Sequence, residues 1–148
     1  MCPSALRGLL VLSGFFLWST VVNAQSGGSL AASLKASRWQ KRVLLLCAPT
    51  SDNAALRRQR QLLATDPPGL EARELLVREV LFTALSAADR NYLTETLRVS
   101  PTGFTLVLLG KDGGSKRRET EPVTPSSLFT TIDAMPMRQR EMQGSKPR

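Results

Sequence analysis

Residues 103–118 read GFTLVLLGKDGGSKRR, an apolar run that passes into three glycines, a lysine, an aspartate and then a cluster of cations. The glycine-rich part, residues 110–118, is open to two readings. A phosphate-cradling loop aims backbone amides at an anion from a helix N-terminus, so it requires strand, glycine loop and helix in that order. Here the loop is followed by SKRRETE, a charged strand-like stretch, and the spacing G-x-x-x-x-G-K-[ST] is absent. Asp112-Gly113 is instead a hairpin signal. It predicts a type I′ turn with positive φ at both positions and Gly114 beside it as a bulge. Two strands joined by so tight a turn must be antiparallel.

Working outward, VLLLCAP (43–49) is continuously apolar, as befits a strand buried on both faces, and Pro49 ends it. Trp39 is expected to cover the entrance to that strand. TSDNAALRRQRQLLATD predicts a helix capped by Ser51 or Asp52, with Leu56 and Leu63 on its apolar stripe. DPPG (66–69) stops it, and a short connector follows. ELLVREVLF reads as a second strand and SAADRNYLTETLRV as a second helix, with Ser86 and Asp89 at capping-box spacing. SKRRETE suits an exposed sheet edge. TPSSLFTTIDAM predicts a last helix capped by Thr124, with Leu128, Ile132 and Met135 on one face.

The order is therefore β-α-β-α-β-β-α. A helix joins the first two strands, which predicts parallel pairing with a right-handed crossover. The expected fold class is α/β: a thioredoxin-like, mixed four-stranded sheet with flanking helices.

Three features bound the chemistry. The chain has 148 residues, 42% of them hydrophobic, which is one small domain's worth. It has 20 basic and 12 acidic side chains, a net charge of +8 and no histidine. The missing histidine excludes imidazole acid–base catalysis, Ser–His triads and imidazole zinc sites. The first 24 residues carry Arg7, a 14-residue apolar run and small Val22 and Ala24 before Gln25, the pattern of a secretory signal cleaved between Ala24 and Gln25. The run is shorter than the ~20 residues of a membrane span. Residues 25–37 are expected to be a linker, 38–142 the domain and 143–148 a disordered tail. Cleavage leaves 124 residues, a net charge of +7 and Cys47 as the one cysteine, so no internal disulfide can form.

Cys47 is the redox candidate. A reactive thiol needs exposure and a positive neighbourhood such as a helix N-terminus. Those positions here are Thr50–Asn53, without C-x-x-C, whereas Cys47 lies inside the apolar strand and reads as a small hydrophobe. SPTGFTLVLL (100–109) is an imperfect likeness of a cis-proline loop: Pro101 lies too far upstream, Phe104 takes the proline's place, and a trans proline is expected.

DAMPMRQREM (133–142) contains Met135, Met137 and Met142. Thioethers can bind Cu(I). Without histidine or a second cysteine, the favoured reading is that Met135 packs inward, Pro136 bends or restarts the helix, and Asp133 caps or pairs locally. No cofactor or metal is expected. The basic groups Arg57/Arg58/Arg60, Lys116/Arg117/Arg118 and Arg138/Arg140 accompany few aromatics, which argues against nucleic acid and for an anionic envelope polymer or an acidic protein surface.

GFTLVLLGKDGGSKRR together with LFTTIDAMPMRQREM, and WQKRVLLLCAP as a third segment, resembles the domain of unknown function 4174. The resemblance covers residues 38–142 and rests on Gly110, Lys111, Asp112, Gly113, Asp133, Met135, Pro136 and Met137. It implies a fold similar to thioredoxin and peroxiredoxin, and occurrence in bacterial exported proteins and extracellular animal proteins, including sushi-repeat-containing ones. It implies no activity. The expected function is an exported, non-catalytic binding module. The alternative is a one-cysteine redox or peroxiredoxin-like enzyme using Cys47, with copper binding through methionines a weaker third.

Overall fold

The computed structural model describes residues 28–144. The leader, its cleavage positions Ala24 and Gln25, and the last four residues lie outside the described residues. Strand β1 (Arg42–Ala48) is followed by helices α2 (Ala54–Leu63) and α3 (Pro67–Ala72), then β2 (Leu75–Leu81). A short 3₁₀ turn leads to α4 (Ala87–Asn91), which runs on as a π-helical turn, Tyr92–Thr96. Strands β3 (Thr105–Leu109) and β4 (Ser115–Glu119) precede α5 (Pro125–Asp133) and α6 (Pro136–Gly144). Ahead of them all stands α1 (Leu30–Ser37).

The sheet order is β2-β1-β3-β4. β1 and β2 are parallel, from Arg42 opposite Leu75 to Ala48 opposite Leu81. β3 is antiparallel to both β1 and β4. All seven residues of β1 are buried. Its alternate side chains feed two cores: Val43, Leu45 and Cys47 pack with α1 and the α4 segment, and Leu44, Leu46 and Ala48 with α2 and α5. Each buried leucine contributes roughly 1.5–3 kcal/mol of transfer free energy. β4, with the charged sequence SKRRE, lies at one edge as expected, and β2 at the other.

Several local expectations are corrected. Residues 30–37 of the expected linker form α1, whose Leu30 and Leu34 enter the core. Asp89 does not complete a capping box: Ser86 caps α4, while the Asp89 carboxylate accepts the Leu30 N–H at 2.8 Å and ties α1 to the domain. α2 is capped by Asn53 rather than Ser51 or Asp52, through its side-chain oxygen and the Leu56 N–H. DPPG does more than end α2: Asp66 caps a further helix, α3, whose first residues are Pro67, Pro68 and Gly69 and which takes in the start of the expected connector. Trp39 does not close over the entrance to β1 as a buried side chain: it is 68% exposed and has φ of 66°. Gln143, placed in the tail, closes α6 with Gly144.

The hairpin stands, with a different turn. Gly113 N–H donates to Gly110 C=O, and Gly110 N–H to Gly114 C=O, both at 2.9 Å. Gly113 is left-handed (φ 81°) and Asp112 is not. A turn closed over residues 110–113 with a left-handed glycine last is the three-residue-loop solution with a G1 bulge, not type I′. Leu109 faces Ser115 and Leu108 faces Arg117, so Lys116 is the extra residue of β4.

Candidate functional site

The two ends of the sheet are built from different chemistry. At the C-terminal end of β1, residues Pro49–Asn53 lead into α2, the position at which a thioredoxin-like enzyme holds its thiol. Here the Thr50 hydroxyl donates to the Asp52 carboxylate, and that bond, with a backbone N–H, holds the Asp52 carboxyl below its ordinary range. Cys47 lies within β1, two residues before Pro49, between Val80 of β2 and Thr105 of β3 in the sheet register, and is fully buried. Burial alone pushes its thiol up to about 12, away from the thiolate form that nucleophilic or redox chemistry uses. Every peptide bond among the described residues is trans, including that before Pro101, and Phe104 is buried in the core shared with α2 and α5.

The opposite end gathers charge. Arg42 opens β1 and is fully buried. Its Nη1 donates to the Arg73 carbonyl at 3.0 Å and its Nη2 to both Glu141 oxygens at 3.1 and 3.2 Å. Lys111, on the hairpin, pairs with Glu141 at 2.8 Å and also with Glu74. Arg138 joins Glu141 to Asp133. Arg73 completes the chain, with Nε and Nη2 on Asp133 at 3.0 and 2.6 Å and its guanidinium 4.0 Å over the Phe129 ring. Asp133 therefore pairs across 60 residues of sequence rather than only locally.

The electrostatics follow from this arrangement. Burial would raise the Glu141 carboxyl, but Lys111 and Arg42 outweigh it and hold it down to about 2. Asp133 is likewise held below its ordinary range, burial being outweighed by Arg73 and Arg138. Burial would lower the Lys111 ammonium, but Glu141 and Glu74 raise it. Asp112 is held low chiefly by its bond from Lys116 at 2.7 Å.

Beside this network the two motif segments meet. Gly110, Lys111 and Asp112 of the hairpin and Met135, Pro136 and Met137 at the α5–α6 junction line one groove of about 210 Å³, with Arg42, Lys116 and Arg140 at its sides. Pro136 restarts the chain as α6, and Met135 packs against the α2–α5 core as well as lining the groove. Gly113 stands just outside, against Arg38, and Asp133 behind, in the ion network. No cluster of three or more His, Cys, Asp or Glu side chains among the described residues is placed to hold a metal, and no described helix is long and apolar enough to cross a membrane.

Arg42, Arg73, Glu74 and Glu141 escape a reading of the sequence, whereas Arg140 was visible there only as one of a basic pair. One signal was present: an arginine at the start of a wholly buried strand requires a carboxylate, and Glu141 is the one acidic residue between Met135 and the C-terminus.

The sheet order, strand directions and helix placement define a thioredoxin-like domain. Two solved structures bear this out. A 2-Cys peroxiredoxin of Plasmodium vivax superposes with a TM-score of 0.54 at 12% identity, over 74% of this chain and 84% of the other. The protein Trxlp of Edwardsiella tarda superposes with a TM-score of 0.51 at 25% identity, over 71% and 94%. Within that class, the chain belongs to the family described as Domain of unknown function (DUF4174), whose model matches residues 33–141. It is 33% identical to the rat sushi repeat-containing protein SRPX over 82% of its length, and 30% identical to the human protein over 90%. It spans less than a third of either relative, 29% and 31% respectively.

Proposed function

We propose that this chain is an exported thioredoxin-like module that binds a partner and does not catalyse. The observation that carries this reading is the state of Cys47. The loop and helix start at residues 49–54 contain no thiol, and Cys47, inside β1 two residues before Pro49, is fully buried with its thiol pushed up to about 12. A peroxide-reducing or disulfide-exchanging enzyme requires an accessible thiolate. Export is supported by the leader pattern of residues 1–24.

Thiol labelling of the native protein, with and without denaturant, tests the first half beside a peroxide-consumption assay. The expected result is slow native labelling, fast labelling once unfolded, and no Cys47-dependent turnover. Fast native labelling with turnover lost in Cys47→Ser overturns the reading in favour of a one-cysteine redox enzyme. N-terminal sequencing of exported protein tests the second half: Gln25 is expected first, and intact Met1 refutes cleavage.

A further inference from the structure

We propose that the groove between the β3–β4 hairpin and the start of α6 docks an acidic peptide segment in which an apolar side chain sits beside a carboxylate. This deepens the binding-module reading and rests on it. The floor is Met135, Pro136 and Met137, and thioethers adapt their shape to an inserted side chain. A volume of about 210 Å³ falls below the ~300–1,000 Å³ of small-molecule clefts, leaving room for one or two side chains rather than a cofactor.

Charge selects the sign of the partner. Lys111 and Arg42 are neutralised by Glu74 and Glu141, and Lys116 by Asp112. Arg140, exposed on the rim, donates to the Pro136 carbonyl of its own helix at 3.4 Å and meets no carboxylate within 4.0 Å among the described residues. Its guanidinium is therefore available for a carboxylate of a partner. In the groove's wall Arg42 also retains an Nε–H that is buried and without an acceptor among the described residues, a donor that costs stability while it stays unpaired. The apolar floor selects the class. A sulfated or uronate polysaccharide would desolvate its hydroxyls against methionine and proline, whereas a leucine or phenylalanine side chain gains by the same burial.

Random peptides displayed on phage, selected in parallel on the purified protein and on Arg140→Glu, provide the test. The parent is expected to enrich sequences with Asp or Glu next to Leu, Ile, Phe or Met. A synthetic copy of the leading peptide should bind saturably, shift the amide resonances of residues 110–116 and 135–140, and lose about tenfold in affinity toward Arg140→Glu. Arg140 is exposed, so an unchanged thermal midpoint certifies that variant's fold, and Met137→Asp, which puts a carboxylate on the floor, gives a second loss. No enrichment, equal enrichment on both proteins, undiminished binding after Leu→Ser in the peptide, resonance shifts elsewhere, or displacement by a heparin oligosaccharide that binds the groove more tightly would each overturn the proposal. None of these readouts involves Cys47. Failed peptide binding beside an unreactive thiol therefore refutes the groove alone, while a reactive thiol refutes the underlying reading.

Discussion

Lys111, on the β3–β4 hairpin, and Glu141, in the second turn of α6, meet at 2.8 Å, and through Glu141 the last helix is tied to buried Arg42 at the start of β1. One carboxylate thus joins three elements that the chain order keeps 30 and more residues apart. Removing it strands a buried cation. Glu141→Gln is expected to lower stability at neutral pH by about 1–3 kcal/mol, between the values for exposed and fully buried pairs. Chemical denaturation of the two proteins side by side measures this, and equal midpoints would show that Arg42 finds other compensation.

The same residue sets an acid limit. Its folded carboxyl is held at about 2 against an ordinary value of 4.5. A depressed carboxyl contributes stability that is fully present above the unfolded value and is lost as pH falls through the folded one. The parent should therefore lose stability between pH 4.5 and about 2 more steeply than Glu141→Gln. Parallel slopes for the two proteins across that window would contradict the assignment.

Cys47 gives the opposite sign. Its folded thiol is pushed up to about 12 from an ordinary 9.0. Its contribution is therefore present below 9.0 and is lost as pH rises through about 12. Comparison with Cys47→Ala isolates it from other alkaline titrations: the parent should lose more stability than the variant over that range. Identical alkaline profiles would mean that the thiol is not shielded.

Gly113 is required by its backbone. Its φ of 81° is left-handed, and an added Cβ would run into the Arg38 guanidinium. Gly113→Ala should cost about 1–2 kcal/mol from the dihedral alone. Gly114→Ala, one residue on and without a positive φ, serves as the control and should cost less. Thermal midpoints decide between them.

Gln59 is fully buried on α2, donating to the Val123 carbonyl at 3.0 Å and accepting the Val123 N–H at 2.8 Å. It satisfies both backbone groups of a loop residue between β4 and α5. Gln59→Leu fills the space and orphans both, at about 1–3 kcal/mol each. Amide hydrogen exchange at Val123 should accelerate more than the global loss of stability explains. Unchanged exchange there would show that the loop is held by something else.

Sequence reasoning was strongest where periodicity and turn chemistry carry the information. VLLLCAP announces a strand buried on both faces, and the strand it marks, Arg42–Ala48, has seven consecutive buried residues that need two cores. Asp112-Gly113 implies a hairpin because positive φ is needed at a tight turn, although only Gly113 adopts it. Thr124-Pro125 marks the start of α5 because capping is local. From these follow the order of the four strands with α2, α4 and α5 between and after them, though not α1 or α3, and the shielding of Cys47.

What local pattern could not supply was decided by residues distant in sequence. α1 has the composition of a linker, with alanines and serines, yet it is a helix because Asp89, 59 residues on, accepts the Leu30 N–H while Leu30 and Leu34 reach a core built by other elements. Gln59 reads as an ordinary surface position on a helix rich in arginine and is buried because the chain returns over it at Val123. The groove is the clearest case. Gly110–Asp112 and Met135–Met137 are each visible as a motif, but only the packing of α6 against the hairpin, through Arg42, Lys111 and Glu141, makes them the two sides of one site. Hydrophobic period and turn type are written within a few residues of chain. The partner of a buried charge is not, since any of 12 acidic side chains could have met Arg42 and only the folded chain selects Glu141.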